Sequence, residues 1–244
     1  MPPAWEGDVM KKEKNTETSE ATRARLRMLI TLALFAAIAY VSTALIRIPV
    51  VNPGFTLSYD PKDIVIVIAG FIYGPVPAVG IVIVDAFLEM ITFSETGFWG
   101  FLMNVIASVS FTLPAVLIYK HKRTFKGAVF GLLSGVSLAV VMMLLWNLIV
   151  TPIYTGAPRA VVAGMLPTVF LPFNLLKCSI NALFAIILYK PISKALRAAK
   201  ILPEPASAPG KQKMLIPVIA GILLVLVIAL TVLYSLLYPV YAAA

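Results

Sequence analysis

Long apolar runs alternate with short polar segments along this chain. The runs cover residues 28–46, 64–71, 76–93, 98–119, 128–149, 161–189 and 214–240. Most reach the ~20 residues a helix needs to cross about 30 Å of hydrocarbon. The pattern predicts an all-α, polytopic membrane protein with a six-span body over residues 26–200. The stretch "LPEPASAPGKQK" marks a Pro/Ala linker, residues 201–213, ahead of a uniformly aliphatic seventh helix over 214–240. Residues 1–25 are polar and show no apolar period, which predicts a disordered tail. "RIPVVNPGFTLSYDPKD" reads as a loop between spans one and two, with a turn at Asn52-Pro53-Gly54. Span two, about 63–73, is short and stops at "YGPVP", where Pro75 and Pro77 block its continuation.

Charge sharpens the topology. The chain is 60% hydrophobic and 13% charged, against roughly 45–50% and about 25% in soluble domains. The net charge of +9 raises the question of nucleic acid, but its placement answers no. Arg23, Arg25 and Arg27 precede span one. Lys120, Lys122, Arg123 and Lys126 follow span four, and Lys190, Lys194, Arg197 and Lys200 follow span six. Alternating spans put all of these on one side, the positive-inside pattern. That implies a multi-pass cell-membrane protein with a cytoplasmic N-terminus. The single Cys178 allows no internal disulfide.

Few polar side chains interrupt the spans: Asp85, Glu89, Asn104, Asn147, Asn174, Lys177 and Asn181. Asp85 and Glu89 stand one turn apart, as do Asn174 and Lys177, so each pair shares a helix face. Counted by depth, nearly all fall in the outer half of the bundle, with Asp60 and Asp63 at the outer entry of span two. A charge at mid-bilayer costs at least ~2.5–3.5 kcal/mol and should face the interior or a wet cavity. The bias predicts an outward-facing pocket with a polar floor and apolar walls. Its candidate ligand contacts are Asn147, Asn174, Lys177, Asn104, Asp85, Asp63 and Tyr154. Competing structural roles are an Asp85–Lys177 ion pair, helix-to-helix bonding by Asn104, packing by Asn181, and interface anchoring by Trp99 and Tyr154. Trp146 suits either stacking on a flat ligand or lipid contact. His121 lies in a basic loop, and one histidine makes no metal cluster.

The sequence holds no G-x-x-x-x-G-K-[ST], H-E-x-x-H or G-x-S-x-G motif. It offers no nucleophile–base pair, so binding or transport is expected rather than catalysis. A retinal-type receptor is disfavoured, since Lys177 lies on the sixth span and the seventh is featureless. Small residues recur at spacing four in two places. Ala33/Ala37 on span one suit the docking of a partner helix, and Gly127, Gly131 and Gly135 on span five suit internal packing.

"YDPKDIVIVIAGFIYGPVPAVGIVI", "FLMNVIASVSFTLPAVLIYK", "LLWNLIVTPIY" and "LPFNLLKCSINALFAIILYK" together resemble riboflavin-specific substrate-binding subunits (S components) of energy-coupling factor (ECF) transporters. "PFN-x-x-K" is the most specific piece. The resemblance implies a six-helix bundle that binds one vitamin near the outer face, with no cofactor beyond that transported ligand. It implies a transmembrane coupling subunit docked on Ala33 and Ala37, and two cytosolic ATPases as the energy source. It also implies that Asn147, Asn174 and Lys177 contact the isoalloxazine. Asn offers donor and acceptor and Lys donors only, which suits the carbonyls and ring nitrogens along that ring's edge. Two alternatives stay open: an S component for another vitamin, and a self-sufficient secondary transporter with Asp85 and Glu89 as a proton relay. The seventh span is not part of the usual S-component body.

Overall fold

The structure, a computed structural model, describes residues 4–52 and 55–199; the linker and the seventh span fall outside them. It is a bundle of helices with one β-hairpin at one end. Helix α1 runs Ala4–Leu45. Its first half replaces the disordered tail expected over residues 1–25. Periodicity of apolar residues is not the only route to a helix. This segment is rich in Glu and Lys, with opposite charges at helical spacing such as Glu20/Arg23.

Strands β1 (Ile48–Asn52) and β2 (Phe55–Tyr59) pair antiparallel, Ile48 opposite Tyr59 and Asn52 opposite Phe55. The loop expected here is therefore a hairpin whose strands are two residues apart, at the predicted turn. Helix α2 (Lys62–Tyr73) has 12 residues. That is ~18 Å of helix, well short of a bilayer. Beyond its first turn it is apolar on every face, with Ile66, Val67, Ile68 and Ala69 fully buried, and it packs against α1 and three later helices. A helix hydrophobic all round belongs at the centre of a bundle. It stops at Gly74, whose φ of +98° suits glycine, and Pro75 opens α3 (Pro75–Thr92). Then come α4 (Phe98–His121), α5 (Phe125–Ile149), short α6 (Thr151–Thr155) and α7 (Arg159–Met165), a π-helical turn (Leu166–Phe170) and α8 (Leu171–Ala198).

Five segments are long and apolar enough to cross a membrane: Ser19–Leu45, Pro75–Thr92, Phe98–His121, Phe125–Thr155 and Arg159–Ala198. With central α2 they make the six-helix body. The last expected span, 161–189, is not one uniform helix. Pro167 and Pro172 carry no N–H to donate; the first lies inside the wide turn before α8 and the second in the first turn of α8.

Two kinds of contact hold the bundle. Gly131 and Gly135 of α5 lie so close to α4 that an added Cβ would strike the backbone of Ala115 and Phe111, so the glycine stripe serves internal packing. At the basic end, Phe71, Tyr119 and Tyr189 cluster, with the two tyrosine hydroxyls 2.7 Å apart. At the hairpin end, Arg47 donates to the Phe93 carbonyl at 3.0 Å, and Tyr40 stacks on the Phe93 ring. The ends of α1 and α3 thus lie together, as alternating spans require.

Candidate functional site

The first turn of α2 carries the least expected residue. Lys62 is 2% exposed. Because α2 is only 12 residues long, its first turn lies within the depth of the bundle rather than at its edge. An ammonium there needs partners. Its Nζ meets Glu89 Oε1 at 2.5 Å and Asp85 Oδ2 at 3.5 Å. The second Glu89 oxygen accepts from Asn104 Nδ2 at 2.6 Å. Residues from α2, α3 and α4 thereby form one buried chain, Asp85–Lys62–Glu89–Asn104. Asp85 and Asn104 share a layer, as their depth predicts, but the lysine that joins them is Lys62.

Lys177 has a different partner from the one weighed above. It does not pair with Asp85. It donates to Asp60 Oδ2 at 2.7 Å and to the Ser58 carbonyl at 3.5 Å. Asp60 sits in the two-residue link between β2 and α2, where irregular backbone folds back into the bundle. Such backbone is tolerated at membrane depth only when protein covers it. Asn181 pins the same link, donating to the Asp60 carbonyl at 3.4 Å and accepting from the Tyr59 hydroxyl at 3.2 Å. That is the packing role expected of Asn181. Burial alone would raise the Asp60 carboxyl, but Lys177 foremost, then Lys62 and Arg47, hold it below its ordinary value. Burial, with the Asp60 and Asp63 charges, pushes the Tyr59 hydroxyl up to about 12, so it stays a donor.

The remaining candidates are placed separately. Asn147, at the end of α5, donates to the Met143 carbonyl at 2.7 Å and accepts from Thr151 Oγ1 at 2.9 Å, which ties α5 to α6. Asn174 donates to the Phe170 carbonyl at 2.7 Å and fixes the first turn of α8 to the π-helical turn. Neither amide bonds to Lys177. Tyr154 is half-buried on α6 and makes no side-chain hydrogen bond among the described residues. The neighbouring Trp146 has a buried Nε1 with no acceptor. Asp63 is buried and joins neither lysine at ion-pair distance. On α1, Ala33 and Ala37 are exposed beside Leu29, Ile30, Leu34 and Ile38, while Ala36 and Ala39 face inward.

The two lysines therefore differ in capacity. Lys62 is enclosed by two carboxylates. The Lys177 side chain is 15% exposed with a single carboxylate. An ammonium has three donors, so Lys177 has the means to meet an acceptor that arrives from the hairpin end. Lys62, Asp60 and Tyr59 were not among the sequence candidates for ligand contact. The signal for Lys62 was present, since a span too short to cross must start or stop inside the membrane and Lys62 stands at its start.

Fold and polar layer define a multi-pass membrane protein with ionisable groups gathered at one end of its bundle. Residues 27–193 match the family described as ECF transporter, substrate-specific component, and the chain belongs to that family. It is 30% identical over 178 residues to the riboflavin transporter RibU of Staphylococcus aureus (strain TCH60), covering 70% of this chain and 93% of that one. It is 28% identical over 181 residues to the riboflavin transporter FmnP of Bacillus subtilis (strain 168), covering 68% and 92%. A solved chain, described under "Structure and mechanism of the S component of a bacterial ECF transporter", superposes with a TM-score of 0.58 at 30% identity. The match covers 71% of this chain and 99% of that one. Members of this family serve transport as substrate-specific components.

Proposed function

We propose that this chain binds riboflavin from outside the cell and delivers it inward as the substrate-specific subunit of an ATP-driven ECF transporter. The observation that carries this reading is Lys177, an incompletely satisfied ammonium one turn from Asn174 in the hairpin-end polar layer, in a chain whose relatives are named riboflavin transporters. Lys177, Asn174 and Asn147 read the polar edge of the isoalloxazine, and Tyr154 lines the pocket. Asp85 and Asn104 support its floor through Lys62 and Glu89. A ligand edge left unpaired in such a site costs about 1–3 kcal/mol, which discriminates against flat molecules with the wrong edge. The exposed Ala33/Ala37 face of α1 receives the transmembrane coupling subunit, and two cytosolic ATPases supply the energy from the basic, cytoplasmic end.

The deciding experiment is a titration of the purified full-length protein with riboflavin, following quenching of flavin fluorescence. Saturation near one flavin per chain is expected. Unquenched flavin, or equal competition by a non-flavin vitamin, would overturn the reading. Uptake by this chain alone that collapses with the proton gradient would instead favour a secondary transporter.

A further inference from the structure

The polar layer holds more negative charge than its lysines neutralise. Asp60, Asp63, Asp85 and Glu89 are all buried. Lys177 pairs with Asp60, and Lys62 with Asp85 and Glu89. Asp63 is the carboxylate in this layer with no cation within ion-pair distance, and its Oδ1 is buried without a hydrogen-bond partner. Across from it on α4, Ser108 faces the carboxyl. Ser108 and, one turn on, Thr112 are each 1% exposed, and the Thr112 hydroxyl has no partner. Asp63 Oδ1 and the Thr112 hydroxyl, each costing free energy if left dry and unpaired, thus stand on the facing sides of α2 and α4, which meet where Val116 of the Ser108–Thr112–Val116 face packs on Gly70.

We infer that Asp63, Ser108 and Thr112 form a binding site for a monovalent cation, sodium by chemistry, buried between α2 and α4. Carboxylate and hydroxyl oxygens are hard donors suited to hard cations. A single carboxylate matches one positive charge, whereas divalent ions of this class gather several carboxylates. No cluster of three His, Cys, Asp or Glu suited to a transition metal occurs among the described residues. A cation at this point supplies the counter-charge that Asp63 lacks and accepts the lone pairs of both hydroxyls. The groups whose charge bears on Asp63 are Asp60 on the link, Lys62 on α2, Lys177 on α8 and Asp85 on α3; the Cys178 thiol on α8 lies beside them.

The test uses purified full-length protein without flavin, so its outcome is independent of the riboflavin reading. Radiolabelled sodium is titrated in choline chloride at constant ionic strength and neutral pH, and thermal stability is followed in parallel. Saturable binding of about one sodium per chain is expected, with a stabilisation that choline does not reproduce. Asp63→Asn, and separately the milder Ser108→Ala and Thr112→Val, should each weaken sodium binding at least tenfold while the protein still folds. Sodium binding that is absent, or unchanged in all three variants, overturns the site. So does stabilisation that ignores sodium and instead grows on acidification in wild type but not in Asp63→Asn, which would place a proton on Asp63 in the cation's stead.

Discussion

Two lysines of the polar layer, one buried and one half-buried, are treated in opposite ways. Lys62 is 2% exposed and held by two carboxylates from one face of α3, with Asn104 bracing the arrangement from α4. The Lys177 side chain is 15% exposed and held by one carboxylate on irregular backbone. The first centre joins three helices and is closed to a ligand by its burial. The second joins α8 to the hairpin link and keeps donor capacity. The difference separates a charge that fastens the fold from a charge positioned to recognise something. Intramembrane position alone does not distinguish them, because both would be flagged as functional by depth.

The largest expected effect falls on the enclosed centre. Lys62→Ala strands Asp85 and Glu89 without their cation, and removing one partner of a buried pair costs about 3–5 kcal/mol. Denaturation in detergent micelles should show a loss of that order. Riboflavin affinity, measured on whatever fraction remains folded, should fall much less. If Lys62→Ala instead left stability unchanged and abolished flavin binding, the two lysines would have to exchange roles.

Lys177→Ala tests the other side. A hydrogen bond to a charged group is worth roughly 1.5–3 kcal/mol, and Asp60 retains the fields of Lys62 and Arg47. The stability loss should therefore be smaller than for Lys62→Ala. Flavin affinity should drop tenfold or more, about 1.4 kcal/mol, and Asn174→Ala should do the same. Normal flavin binding in both variants would remove α8 from the ligand site.

Acid sharpens the same contrast with a smaller effect. Lys177 above all keeps Asp60 below its ordinary range in the folded state. A depressed carboxyl contributes stability that is complete above its unfolded value, about 3.9, and is lost only as pH falls from there through the folded value. The stability difference between wild type and Asp60→Asn should stay constant from neutral pH down to about 5 and shrink below about 4. A difference that already declines near neutral pH would mean that Asp60 is not the group held by Lys177.

What the sequence made legible follows the same division. Spans came through because a run of apolar residues has one meaning at bilayer length. The glycine stripe of α5 and the exposed Ala33/Ala37 face of α1 were readable from spacing four alone. The hairpin was not, because Pro49 falls inside β1 and the alternation of its strands is short. That omission hid the next one. Without the hairpin, residues 60–62 read as a loop outside the membrane, so Asp60 was taken as an entry residue and Lys62 was passed over. Depth counting then left Asp85 as a partner for Lys177, when the folded-back link supplies Asp60. Helix periodicity ranks residues by depth along straight helices, and it has no way to report a chain that re-enters.

The smallest test concerns the link itself. Tyr59 donates its hydroxyl to Asn181 Oδ1, and the other side of that amide donates to the Asp60 carbonyl. Burial and two nearby carboxylates push the Tyr59 hydroxyl up to about 12, so it remains a donor at neutral pH. Tyr59→Phe removes one neutral hydrogen bond and leaves ring packing intact, which costs about 0.5–1.5 kcal/mol in stability. Asn181 keeps its bond to the backbone, so the link should hold and Lys177 should keep its carboxylate. Flavin affinity should then change by less than the tenfold expected for Lys177→Ala. A larger loss of affinity than of stability would show that the hairpin end positions Lys177 for its ligand, and the division between fastening and recognising charges would extend to the residues that hold the second lysine in place.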